Sequence, residues 1–217
     1  MNIAVLFART TLAFVTLLGI STVVYADLDS DILNIQHQWA RANYATPGDG
    51  QEKAFEELVS DARKLADQWT GKAEPLVWLA ISLSTDAGVN GGLSALGKVK
   101  EARKHLEAAE KIDATVLDGS VYTSLGSLYY QVPGWPIGFG DEDKAELLLK
   151  KALAINPDGI DPNYFYGDFQ LEEGNYEVAA EYLTQASKAP ARPARPLADK
   201  GRQAEIAKKL EVVRKKL

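Results

Sequence analysis

Thirty carboxylates, two histidines and no cysteine define the chemistry open to this 217-residue chain. His37 and His105 fall on separate helical stretches, and neither has a second ligand at metal-binding spacing. Gly138-Phe139-Gly140-Asp141 is glycine-rich, yet no Gly-Lys-Ser/Thr follows it to cradle a phosphate. Asp27, Asp29 and Asp31 alternate as at the start of a calcium loop, but Ile32 and Gln38 stand where that loop needs Gly and Glu. None of the many carboxylate pairs is marked out for acid–base work. The residue types predict no catalytic centre, no metal and no cofactor.

The chain carries recognition chemistry instead. Pro133-Gly134-Trp135-Pro136-Ile137-Gly138-Phe139-Gly140 sets three large apolar side chains in a segment stiffened by two prolines. Leaving such groups in water costs about 25 cal/mol per Å². The segment reads either as an apolar lip for a partner or as a plug, with Trp135 and Phe139 tucked against Leu93 and Leu96. Tyr164, Asp168 and Glu172, four apart, share one helical stripe, with Tyr130 near it. That stripe reads as an aromatic and acidic cleft for a basic or amphipathic segment, or as ordinary packing beside a solvated acidic face. Tyr130, Trp135, Phe139, Tyr164, Asp168 and Glu172 are thus the candidate partner-binding residues.

Helices must position these groups. Helical periodicity covers Ser30–Tyr44, Gln51–Trp69, Glu74–Asp86, Lys98–Ile112, Gly119–Tyr130, Asp141–Ile155, Asp161–Glu173, Tyr176–Lys188 and Leu197–Leu217. Glycine- and proline-rich turns separate them, and no run alternates with the period of a strand. Small residues recur in phase: Ala145, Leu149, Ala152; Ala179, Leu183, Ala186; Ala102, Leu106, Ala109. Short side chains let paired helices approach, and Leu149 and Leu183 are expected to fill the space between successive hairpins. Asp141 reads as a helix cap.

With Leu125-Gly126 and Tyr129 ahead of this pattern and Pro157 behind it, the chain resembles the tetratricopeptide repeat (TPR) family. The resemblance covers about Glu74–Ala189. It implies an all-α, TPR-like helical-hairpin solenoid with a C-terminal capping helix, and binding of a protein or peptide on the concave face. Asp27–Gly71 matches poorly, as terminal repeats often do. Two departures stand out: extra residues around Gly88–Leu96 and around Gln131–Gly140, expected as neighbouring insertions on one edge of the solenoid.

Three segments follow. Residues 1–26 contain one base and no acid, with an apolar run and small residues at Val24 and Ala26, as in a cleaved signal peptide; an uncleaved anchor is the alternative. Residues 27–191 form the repeat domain. Residues 192–217, with nine Lys or Arg against three Asp or Glu, form a basic linker and capping helix. Ile206, Leu210, Val213 and Leu217 make its apolar stripe, suited to covering the last hairpin more than to lying on an anionic membrane. A net charge of -6 argues against nucleic acid as a partner. An exported chain with no cysteine and no Asn-x-Ser/Thr site fits a bacterial periplasm. The expected function is a non-catalytic protein- or peptide-binding scaffold. The alternative is a small-solute-binding accessory of a periplasmic transport system, which requires an enclosed pocket between the two insertions.

Overall fold

The computed structural model describes residues 27–217; the expected signal segment, 1–26, lies outside them. Among the described residues nine helices run in order: α1 (Leu28–Tyr44), α2 (Asp49–Gln68), α3 (Ala73–Asn90), α4 (Gly92–Asp113), α5 (Val116–Gln131), α6 (Glu142–Ile155), α7 (Ile160–Glu172), α8 (Tyr176–Ser187) and α9 (Pro196–Arg214). Each lies where the apolar periodicity predicts one. The only pairing outside helices, among the described residues, is an isolated bridge between Gly134 and Gly140.

In two hairpins, α5–α6 and α7–α8, the helices approach closely because one member lacks a side chain at the crossing. A Cβ on Gly126 of α5 would lie 2.7 Å from Leu149 Cγ on α6, and one on Gly167 of α7 would lie 2.8 Å from Leu183 Cγ on α8. Leu149 and Leu183 are fully buried there, flanked by buried Ala145, Ala152, Ala179 and Ala186. These leucines therefore lock the two helices of their own hairpin; the expected place between successive hairpins is corrected. Asp141 caps α6, its Oδ1 accepting from Lys144 N at 3.0 Å.

The expected insertion at Gly88–Leu96 is not a loop. Gly91 (φ 54°, ψ -146°), with Gly92 beside it also at positive φ (71°), breaks the chain between α3 and α4, and the extra residues lengthen both helices. Its backbone angles are open to glycine and closed to most other residues. The second departure is a true loop, Val132–Gly140, closed by Gly140 N donating to Pro133 O at 3.0 Å.

The odd-numbered helices form an inner layer. α1 touches α3, α3 touches α5, α5 touches α7 and α7 touches α9. The array does not stay open, because α9 also packs on α1. A Cβ on Gly201 of α9 would collide with ring carbons of Tyr44 on α1. His37 of α1 makes a hydrogen bond of 2.7 Å to the carbonyl of Ala194, just before α9. The apolar stripe of α9 is split: Ile206 and Val213 are buried with Ala179, Leu183 and Tyr164, whereas Leu217 is exposed. The capping helix thus covers the last hairpin and also joins the two ends of the array.

Gly201→Ala should force α9 off Tyr44. Stability in urea should fall by about 1–3 kcal/mol, the usual cost of overpacking. Amide exchange in α9 and the C-terminal half of α1 should rise together.

Candidate binding cavity

The inner helices line a cavity of about 660 Å³ that opens to solvent. That is within the usual size of a small-molecule site, about 300–1,000 Å³. The void follows from side-chain size. Ser120, Ser124 and Ser127 repeat along the inward face of α5, with Thr123 beside them and Ser84 opposite on α3. Trp39, Trp78 and Tyr164, all buried, form its deep wall. Trp39 is fixed by an N–H donated to Thr85 Oγ1 at 3.0 Å and by edge contacts with Tyr44 and Trp78. The exposed members of the lining, among them Gly88, Val89, Pro133 and Ile137, mark the mouth. Both departures from the regular repeat therefore meet there.

Residues 192–205 supply the charged side. Asp161, at the start of α7, accepts from Arg192 Nη1 at 2.6 Å and from Arg202 Nε at 3.0 Å. Arg192 also pairs with Asp199, and Arg202 with Glu205. Burial works to raise the Asp161 carboxyl, but the guanidinium groups of Arg202 and Arg192 outweigh it and hold the carboxyl well below the usual carboxylate range. Arg202 also lies over the rings of Tyr164, at 4.2 Å, and Phe165, at 4.9 Å. Arg195 differs: its guanidinium stands over Trp78 at 5.2 Å, and among the described residues no carboxylate forms an ion pair with it. Burial, with Arg192 next in weight, pushes its pKa down.

The six residues singled out in the sequence divide into two groups. Tyr164 and Asp168 are buried on α7, and the Tyr130 hydroxyl donates to Asp168 Oδ2 at 3.0 Å. Lys209 of α9 forms an ion pair with the other oxygen of Asp168. Burial, then the Asp168 charge, raises the Tyr130 phenol well above its ordinary value. Glu172 is exposed at the end of the same stripe, its carboxyl raised by partial burial and by Asp168. The acidic and aromatic stripe thus already holds a basic segment, the chain's own α9. In the loop, Phe139 is tucked in, edge-on to Tyr129 at 5.6 Å and under Arg103 at 4.3 Å. Trp135 is 89% exposed and Ile137 67% exposed. The plug reading fits Phe139, and the lip reading fits the placement of Trp135; the side chain of Leu93 lies outside the described residues.

Sequence reasoning missed Trp39, Trp78, Arg195 and the serine face of α5. The signal was present: Ser120, Ser124 and Ser127 fall at helical spacing, and a row of small polar residues facing inward leaves space. Among the described residues no group of three His, Cys, Asp or Glu could hold a metal ion, and no helix is long and apolar enough to cross a membrane.

Residues 137–196, which include α6, α7 and α8, match the family model described as tetratricopeptide repeat. Among solved structures, the chain is similar to a thermophilic TPR protein of Thermus thermophilus. The two share 15% identity with a TM-score of 0.53, over 83% of this chain and 99% of that one. No curated protein matches the sequence. Residues 137–196 thus match a tetratricopeptide repeat, and the described residues share an all-α helical solenoid fold with that TPR protein.

Asp161→Asn should cost about 1–3 kcal/mol, the scale for losing charged hydrogen bonds at a partly buried site. The depressed carboxyl contributes stability above the unfolded Asp value, about 3.9, and loses it as pH falls toward the folded value. The stability difference between wild type and variant should therefore stay level from about pH 5 to 8 and shrink below about pH 4. Urea melts across that range check it.

Proposed function

We propose that the chain is a non-catalytic recognition scaffold, exported to the bacterial periplasm, that docks a protein partner on the rim carrying Trp135 and Ile137. The observation that carries this reading is a tryptophan 89% exposed on a loop whose backbone is tied down. Gly138 N donates to Gly134 O at 3.0 Å, Gly140 N to Pro133 O at 3.0 Å and Asp141 N to Tyr129 O at 2.9 Å. Phe139 anchors the loop from below. A tryptophan held this way loses little freedom on docking, and tryptophans dominate binding energy at interfaces. The concave face, where TPR scaffolds ordinarily take peptides, is covered at α7 by α9, whereas Trp135 and Ile137 on the rim stay exposed.

A second reading, a small-solute-binding accessory of a periplasmic transport system, is favoured by one observation. The inner helices line a ligand-sized cavity, open to solvent at both departures from the repeat pattern.

A photocrosslinking residue at position 135, introduced in native cells, should yield one discrete protein adduct. The same residue at Val178, also exposed but on the far helix α8, should yield none. Trp135→Ala should leave stability within about 0.5 kcal/mol of wild type, so its loss of partner capture reports docking and not folding. Equal adducts from both positions would count against the rim. For export, intact mass of the periplasmic protein should correspond to a chain beginning at Asp27; full-length mass in the membrane fraction would refute cleavage after Ala26.

A further inference from the structure

We propose that the central cavity binds an uncharged amphipathic molecule, a hydrocarbon body bearing hydroxyl groups, laid along α5 with its hydroxyls on Ser124 and Ser127. The proposal rests on the small-solute reading and names the class of solute.

Three observations converge. The first is the row of uncharged polar groups on α5. Ser120, Ser124, Ser127 and Gln131 recur at helical spacing and all line the cavity. At 1.5 Å per residue the row runs about 16 Å, from the start of the helix to the mouth. The Ser120 hydroxyl donates to Leu117 O at 2.6 Å. Ser124 and Ser127 are half-buried, and among the described residues their hydroxyls are not tied back to the helix in that way. A serine hydroxyl both donates and accepts hydrogen bonds, so it matches another hydroxyl better than it matches a one-sided ion.

The second is the balance of charge. Arg192, Arg195 and Arg202 stand with Asp161, Asp199 and Glu205 on one side of the cavity. Each of these carboxylates accepts from a guanidinium, at 2.5–3.0 Å. A charged ligand would leave water for a wall with no opposite charge left over, and burying an unpaired charge is costly. The balance disfavours anions and cations alike.

The third is the rest of the wall. Ile81, Leu96, Val99, Leu128 and Phe165 give the cavity an apolar side. Such a surface binds hydrocarbon. A bare polyol would leave that side unfilled, and a pure hydrocarbon would leave the serines unanswered. An alcohol with an apolar body satisfies both.

Calorimetric titration of the intact protein with 1-octanol, octanoate and octylammonium at neutral pH tests this. Octanol should bind at least about tenfold more tightly than either ion of the same chain length. The double variant Ser124→Ala/Ser127→Ala should weaken octanol about three- to tenfold, the scale of a hydrogen bond, with circular dichroism unchanged. Ile81→Trp and Ser124→Leu fill the cavity from α3 and from α5, and each, where its circular dichroism matches wild type, should abolish octanol binding. Either ion binding as tightly as octanol overturns the uncharged class and leaves the small-solute reading standing. Octanol affinity unchanged in the serine double variant overturns the placement along α5, as does full affinity in a folded, filled variant. Binding of no probe to the wild type overturns the proposal and the small-solute reading together.

Discussion

Ring closure at Tyr44 and Gly201 is the contact on which the rest of the molecule depends. A solenoid of helical hairpins has two ends and an open concave face. Here the last helix returns to the first because a glycine lets the tyrosine ring approach closer than any side chain would permit. Without that contact the inner serines of α5 would line a groove open to water. With it they line a cavity, and Trp39 and Trp78 become its wall.

Electrostatics hold the closing helix where packing puts it. The body is acidic and the last residues basic, but long-range attraction between exposed charges contributes little. The effective contacts are short and partly buried: Asp161 between Arg192 and Arg202, and Asp168 between Tyr130 and Lys209. Each acid takes more than one donor, and that is the condition under which a desolvated charge is tolerated. The same arrangement uses up the carboxylates around residues 192–205, so Arg195 stands beside Trp78 without one. Three guanidinium groups thus stand with three carboxylates on that wall, and the cluster is balanced in charge.

Local features were legible in the sequence, and long-range closure was not. Helix positions follow from apolar periodicity, and Gly126 and Gly167 mark the hairpin crossings because only glycine admits Leu149 and Leu183 there. Asp141 was readable as a cap because its reach is local. The glycine run at Gly88–Leu96 misled, since the turn is confined to Gly91 and Gly92, both at positive φ, and the residues on either side are helical. The stripe of Tyr164, Asp168 and Glu172 was found, but what covers it was not: α9 and its Lys209 arrive through tertiary packing that no periodicity encodes. The contact of His37 with Ala194 joins residues 157 apart. A glycine and a basic tail give no register for such a return.

The rim and the cavity share the Val132–Gly140 loop, which bears on how far the two recognition surfaces are coupled. Pro133 and Ile137 line the mouth, while Trp135 points to solvent from the same loop. Coupling between sites requires an element with two arrangements that each ligand distinguishes. The loop is closed by its own backbone bonds, pinned to Tyr129 through Asp141 N, and anchored by Phe139. A segment held at both ends and from below has little room for a second arrangement. An occupant of the cavity would therefore meet Pro133 and Ile137 as fixed walls, and a partner on Trp135 would meet the same surface whether the cavity is full or empty. The two recognition surfaces are adjacent in space yet separable in energy: Trp135 governs one, the lining of the cavity the other.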